Sequence, residues 1–126
     1  MRLLPLLLIV AACAAPRADG PTRGQEALSR ELAGREAGAP QTCIAATPSS
    51  SLIIVDSSTL SYRQGGTIWV NRLEAPCPGM RPLDTLVVEL HGSQYCRNDH
   101  IRALQPGSSI PGPTCLLGGF IPYRRR

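Results

Sequence analysis

The sequence predicts an all-β domain: a small barrel or a rolled antiparallel sheet of five or six short strands, stapled by disulfides. Three observations support this prediction. Short runs rich in β-branched residues recur from residue 43 onward, turn residues separate these runs, and four cysteines lie within residues 43–115. The chain also holds 12 prolines and 12 glycines, a composition that disfavours long helices in the domain.

The N-terminal residues have the form of a secretory signal. Arg2 precedes an apolar run over residues 3–10, and two alanines then lead to Cys13. A permanent membrane helix needs about 20 apolar residues, whereas the apolar region of a cleaved signal has roughly 7 to 15. We therefore predict a signal peptide over residues 1–12.

Residues 10–13 resemble the lipobox of bacterial lipoproteins, in which a branched apolar residue and two small residues precede an acylated cysteine. The resemblance implies lipidation of Cys13 and a membrane-anchored protein on the periplasmic side of the envelope, at the outer membrane. One acyl chain binds a membrane only marginally, while two or more anchor a protein stably. Plain secretion after cleavage at an Ala-x-Ala pattern, with Ala12 and Ala14 around Cys13, stays open as the alternative.

Residues 13–40 are expected to form the lipidated N-terminus and a disordered tether. Their composition is dominated by Ala, Gly, Pro, Arg and Glu, and Leu28 and Leu32 are the only large apolar side chains among residues 14–40. So little apolar surface supports at most a transient helix, and deletion of the tether should leave the thermal midpoint nearly unchanged. The β domain then occupies residues 41–126.

Within the domain, the clearest local feature is a hairpin. Residues 59–63 and 67–71 alternate between apolar and polar side chains, and Gln64, Gly65 and Gly66 supply the turn. An apolar strand over residues 52–56 precedes this hairpin. Further strands are predicted at residues 85–90, at 94–97 as the antiparallel partner of 85–90, and at 101–104.

Trp69 lies on the face of its predicted strand opposite Ile68 and Val70. It is either a core residue on the second face of a closed barrel or an exposed contact residue, and the core position is favoured.

With Cys13 assigned to lipid, an even number of cysteines remains, which indicates a disulfide framework in an oxidising compartment. Four cysteines allow three connectivities. We favour Cys77 with Cys96, because the predicted 85–90 and 94–97 hairpin would return Cys96 beside Cys77. Cys43 is then left to pair with Cys115.

The domain is similar to an uncharacterised group of small exported proteins from Gram-negative bacteria. The similarity spans residues 43–123 and depends mainly on the four cysteines and the final Cys-x-Leu-Gly-x-Phe element at residues 115–120. That group has no assigned activity, so the resemblance implies a domain and no function.

A zinc site would have to combine His91, Cys96 and His100 with Cys77 as a fourth ligand. The chain contains no Cys-x-x-Cys pair, and oxidising conditions favour disulfides, so we predict neither a metal nor another cofactor. His91-Gly92-Ser93 lacks the G-x-S-x-G context of a serine nucleophile and is interpreted as a turn.

Basic charge comes from arginine alone, and from residue 41 onward eight arginines face five acidic residues. This balance is too mild for a nucleic-acid-binding domain. Arg124, Arg125 and Arg126 could contact anionic phosphates, although a frayed, solubilising tail is the favoured interpretation.

Two function classes remain. The favoured one is a non-catalytic envelope lipoprotein module that binds a protein, glycan or lipid partner, with Trp69 and the terminal arginines as candidate contacts. The alternative is a small envelope enzyme or a metal or redox accessory that uses His91, Asp99 and His100.

Overall fold

The computed structural model describes residues 20–126, which form one short helix and ten strands. The helix, α1, spans Arg23–Leu32. In chain order the strands are β1 (Arg35–Ala37), β2 (Cys43–Ala45), β3 (Ile53–Asp56), β4 (Thr59–Gln64), β5 (Thr67–Arg72), β6 (Thr85–Val88), β7 (Gln94–Cys96), β8 (His100–Leu104), β9 (Cys115–Leu116) and β10 (Phe120–Arg125). The all-β prediction is confirmed, with antiparallel sheets and two disulfides, although the described residues form no closed barrel.

The largest sheet has five strands in the order β1-β10-β5-β4-β3. Its centre is the predicted hairpin, in which β4 and β5 pair in register from Thr59 opposite Arg72 to Gln64 opposite Thr67. Gly65 occupies the turn at a φ of 57°, a conformation that glycine adopts without the steric cost of a Cβ atom. The hairpin prediction is therefore confirmed.

Both faces of this sheet are buried, which explains the position of Trp69. On one face, Leu60, Tyr62 and Trp69 join Phe120 in the main core. On the opposite face, Ile68 and Val70 pack with Val55 and the helix residue Leu28. Trp69 is thus a core residue, as favoured, but the core lies beneath an open sheet and not inside a barrel.

A disordered tether was expected over residues 13–40, and the part of it that the structure describes, residues 20–40, instead holds a helix and a strand that pack on the domain. Thr22 caps α1 by accepting a hydrogen bond from the Gln25 N–H at 3.1 Å, and Leu28 is buried against the sheet. Strand β1 then pairs with the terminal strand β10. Two leucines suffice for docking because the sheet offers an apolar face to receive them, a face that composition alone does not reveal. The packed unit therefore begins near Thr22 instead of Gln41, while residues 1–12 and Cys13 lie outside the described part.

The remaining strands form two small sheets, β2-β7 and β6-β8-β9. The predicted pairing of residues 94–97 with 85–90 is wrong, because β8 pairs with β6 and β7 pairs with β2. Strands β6 and β8 form a hairpin, and the chain between them includes β7. This connection is long enough to cross to β2, pair with it and return to β8. Tyr95 on β7 contacts the Tyr62 ring edge to face, with ring centroids 5.4 Å apart, and so attaches the β2-β7 sheet to the main core.

The favoured disulfide connectivity is also wrong. The disulfides join Cys43 to Cys96 and Cys77 to Cys115. Cys43 and Cys96 are directly opposite each other in the β2-β7 register. The pairing of β7 with β2, instead of with β6, therefore also determines the partner of Cys96. Cys77, in the connection after β5, is fully buried and is linked to the start of β9.

Across residues 20–126, no helix has both the length and the apolar character needed to span a bilayer.

Candidate functional site

The four residues that a zinc site would have required are not brought together as a ligand set. Cys77 and Cys96 are both consumed by disulfides and therefore present no thiolate to a metal. His91 and His100 contact different carboxylates, with His91 Nδ1 3.7 Å from an Asp99 oxygen and His100 Nδ1 3.2 Å from a Glu89 oxygen. Among residues 20–126 no group of three or more His, Cys, Asp or Glu side chains is arranged to hold an ion.

Asp99, the buried acid of the enzyme alternative, has a structural role. Its Oδ2 accepts a hydrogen bond from the Cys96 N–H at 2.8 Å, and its own N–H donates to the Cys96 carbonyl at 3.1 Å. These bonds close the turn between β7 and β8, in which Asn98 adopts a φ of 69°. Asparagine tolerates this left-handed conformation better than most residues. The carboxylate therefore holds the turn beside the Cys43–Cys96 disulfide.

His91-Gly92-Ser93 forms a bend between β6 and β7, as the turn interpretation predicts. Gly92 has a φ of 81°, and the Ser93 carbonyl accepts a hydrogen bond from the Ala46 N–H at 2.9 Å. The bend thus positions β7 beside β2.

The terminal arginines are not a frayed tail. Strand β10 continues to Arg125 and pairs with β1, where Arg125 lies opposite Arg35. The Arg124 guanidinium lies 5.8 Å from the Trp69 ring centroid, and its Nε donates to the Thr67 hydroxyl at 3.2 Å. Arg126 forms an ion pair with Glu36. Arg124 and Arg126 are therefore already engaged within the fold, which weakens their candidacy as anion contacts.

One face of the β6-β8-β9 sheet is uncovered in the part of the chain that the structure describes, and we call it the outer face. Alternation along each strand turns one set of side chains away from the core, and all of them are exposed except Leu104 at the end of β8, which is half-buried. Val87 lies directly opposite Arg102, and His100 lies opposite Leu116. The exposed members of the set are Thr85, Val87, Glu89, His100, Arg102 and Leu116.

The outer face combines apolar contact area with charge. Val87 and Leu116 keep 43% and 47% of their surface exposed on either side of β8. Between them lie the cationic Arg102 and the His100–Glu89 pair. Strand β6 is also an edge of its sheet, so its outer backbone groups have no strand partner within residues 20–126. Such a surface can bind a second chain through backbone pairing and side-chain contacts together.

Sequence reasoning found only part of this site. His100 was named for its side-chain chemistry, whereas Val87, Arg102 and Leu116 were missed. Alternation within residues 85–90 is a usable signal for a two-faced strand. It does not tell which face is covered, because that depends on the other layers of the fold.

Comparison of the chain with protein-family models, with curated proteins and with solved structures found no match in any of the three. The resemblance to small exported four-cysteine proteins therefore stays a prediction.

Proposed function

We propose that this protein is an exported lipoprotein of the bacterial envelope whose β domain binds an envelope protein through the outer face. The single observation that carries the proposal is the uncovered β6-β8-β9 surface, where Val87 and Leu116 flank Arg102 and His100. No catalytic role is assigned to these residues.

The disulfides support the location. Two disulfides in a domain of this size are typical of an oxidising, extracytoplasmic compartment. The signal-like residues 1–12 and the lipobox-like residues 10–13 agree with that compartment and add the finer proposal of an acylated Cys13 at the outer membrane.

The chemistry of the outer face favours a protein partner over a glycan. Sugar rings stack on exposed aromatic faces, but four of the five aromatic side chains, Tyr62, Trp69, Tyr95 and Phe120, are buried. The fifth, Tyr123, is half-buried and packs against the cluster that contains Leu28 and Val70. The outer face instead offers an edge strand, aliphatic side chains and charges of both signs. These features suit an extended segment of another chain that adds to β6.

Site-specific photocrosslinking in the native envelope tests the outer face. A photoreactive residue placed at Val87 or at Leu116 should form a covalent adduct with one protein of defined mass. The matched control is Ile53, which has the same 43% exposure as Val87. It lies on β3, an edge strand of the five-stranded sheet. We expect no such adduct from position 53.

Two outcomes would contradict the proposed surface: no adduct from either outer-face position, or equal adducts from position 53. A charge reversal on the outer face gives a further check. Arg102→Glu reverses the central charge of the face without touching the core, and it should reduce the yield of the adduct at Val87.

The anchor is tested separately by the intact mass of the exported protein. An acylated N-terminus at Cys13 is expected, and Cys13→Ser should block processing or release the protein from the membrane. A soluble wild-type protein that starts beyond Cys13 would exclude the anchor but leave the outer-face proposal standing.

A further inference from the structure

A second exposed surface lies where α1 begins. Arg23, Arg81, Pro82, Leu83 and Pro106 line a groove of about 700 Å³ between the start of the helix and the loop before β6. Leu83 has 85% of its surface exposed, the highest value among the exposed large apolar side chains.

The next most exposed large apolar side chain lines a depression that adjoins this groove. Ile110 is 80% exposed and lines a neighbouring depression that shares Asp84 with the first. Together these side chains form what we call the anchor-side patch: Arg23, Arg81, Pro82, Leu83, Pro106 and Ile110.

Local hydrogen bonds hold both apolar tips in place. The Arg81 N–H donates to Asp84 Oδ2 at 3.0 Å, and the Asp84 N–H donates back to the Arg81 carbonyl at 3.0 Å, closing the turn that presents Leu83. The Ile110 N–H donates to the Ser108 hydroxyl at 3.2 Å in the loop between β8 and β9. Two hydrogen-bonded loops therefore present the two most exposed large apolar side chains among residues 20–126 near a groove that also carries Arg23 and Arg81. A single exposed apolar residue is ordinary, but apolar surface rimmed by charged residues is typical of protein or membrane interaction sites.

The covalent path to the anchor starts at this patch. Arg23, the first residue of α1, lines the groove itself, and only residues 14–21 separate Cys13 from Thr22, which caps the helix. The nine residue steps from Cys13 to Thr22 span at most about 30 Å when the chain is fully extended. A packed unit of this length is itself about 30 to 35 Å across, so the lipidated terminus cannot hold the domain far from the bilayer.

From these observations we infer that the anchor-side patch docks on the phospholipid bilayer that holds the anchor. The inference rests on the lipidation of Cys13 in the proposed function. Leu83 and Ile110 enter the interfacial region, while Arg23 and Arg81 bind lipid phosphates, as arginines beside an anionic membrane surface do. Asp84 is the acidic residue that lines both depressions, and its Oδ2 accepts a hydrogen bond from the Arg81 N–H. The patch therefore presents two arginines against this one carboxyl group.

Docking through this patch also orients the proposed protein-binding surface. Strand β6 starts immediately after Asp84, and β8 ends immediately before the loop that carries Pro106. His100 and its opposite residue Leu116 lie at the far end of β8, about 13 Å from Leu104 by strand rise. The outer face thus extends away from the bilayer toward soluble or envelope-spanning partners.

Fluorescence quenching by brominated lipid tests the inference on the acylated full-length protein. The protein is reconstituted through its anchor into vesicles of phosphatidylethanolamine and phosphatidylglycerol with brominated acyl chains. Leu83→Trp and Ile110→Trp are compared with Leu116→Trp, an exposed control on β9 opposite the far end of β8. Trp69 is buried and contributes equally to all three. We expect the added fluorescence to be mostly lost at positions 83 and 110 and retained at 116.

The charge contribution is tested in the Leu83→Trp background. Arg23→Gln combined with Arg81→Gln should reduce the quenching, and so should raised salt, because screening weakens the attraction between arginine and phosphate. The matched control, Arg97→Gln with Arg102→Gln, removes two exposed arginines outside the patch and should leave the quenching unchanged.

Equal quenching at positions 83 and 116, or no quenching at positions 83 and 110, would overturn the inference. The intact mass of the same sample shows whether Cys13 is acylated, so this result would leave the anchor itself standing. Absence of acylation would overturn the inference together with the anchor. The photocrosslinks from positions 87 and 116 test only the outer face, so their outcome does not depend on the quenching or on the acylation of Cys13.

Discussion

Asn71 is a fully buried amide that ties strand β5 to the segment before β10. Its Nδ2 donates to the Gly118 carbonyl and its Oδ1 accepts from the Gly118 N–H, both at 2.8 Å. Asn71→Ala would leave two buried backbone groups without partners, and we expect a loss of about 2 to 4 kcal/mol in the free energy of unfolding. Urea denaturation measures the loss, with the exposed Gln94→Ala as the control. A change of less than about 0.5 kcal/mol, the scale of ordinary surface substitutions, would contradict this role.

Asp56 connects α1 to the turn between β3 and β4. Its Oδ2 accepts from the Gln25 amide at 2.6 Å, and its Oδ1 accepts from the Ser58 N–H at 2.9 Å. Partial burial acts to raise the pKa of Asp56, but hydrogen bonds from Ser58 and Gln25 outweigh it and hold the pKa below its ordinary value of 3.8.

This lowered pKa makes a prediction about acid stability. Because the folded state holds the proton less tightly than the unfolded state, the contribution of Asp56 is present above pH 3.8 and is lost as the pH falls through the lowered pKa. Asp56→Asn should therefore flatten the pH dependence of the urea midpoint in this acid range. Parallel wild-type and variant curves would show that the carboxylate charge contributes nothing to docking of α1.

At the scale of elements, α1 approaches β3 so closely that only glycine fits at position 24. A Cβ atom there would overlap the Val55 carbonyl oxygen. Alanine favours helices over glycine by about 1 kcal/mol, so an isolated helix would gain from Gly24→Ala. In the folded protein we expect the overlap to outweigh this gain and to destabilise by about 1 to 3 kcal/mol.

Hydrogen exchange tests the position of α1 directly. In Gly24→Ala the amides of residues 27–32 should lose protection relative to wild type. Gly66→Ala serves as the control, since no atom lies within 4 Å of its added Cβ. Full protection of α1 in the Gly24 variant would mean that the helix and β3 can separate slightly at no cost. The docking of α1 also replaces the expectation that residues 14–40 can be deleted harmlessly, because deletion would expose Val55, Ile68 and Val70.

For the whole molecule, the two disulfides close loops with sequence separations of 53 and 38 residues. Chain-entropy arguments assign each about 4 kcal/mol of stabilisation. Cys77 is additionally part of the main core, so we expect Cys77→Ser with Cys115→Ser to cost more than Cys43→Ser with Cys96→Ser. Thermal unfolding of the two double variants measures the order. Peptide mapping without reduction should recover the Cys43–Cys96 and Cys77–Cys115 pairs, and any other pairing would contradict the sheet arrangement.

Much of the local structure was predictable. Alternation over residues 59–63 and 67–71 around Gly65-Gly66 predicts the β4-β5 hairpin, because each strand, the turn and the register depend on neighbours in the chain. The presence of two disulfides was also predictable, because the domain contains an even number of cysteines, namely four. The candidate site was predictable only in part, through His100, because its other members are defined by exposure.

The sequence by itself determined the β class, the central hairpin and the presence of disulfides, all of which follow from periodicity, turn chemistry and residue type. Only the tertiary structure decided that α1 docks, that β7 leaves β6 for β2, and hence that Cys96 pairs with Cys43. These choices depend on which apolar faces meet across long separations in the chain. Leu28 stays buried because Val55, Ile68 and Val70 form the surface that receives it, and that surface exists only after the sheet has formed.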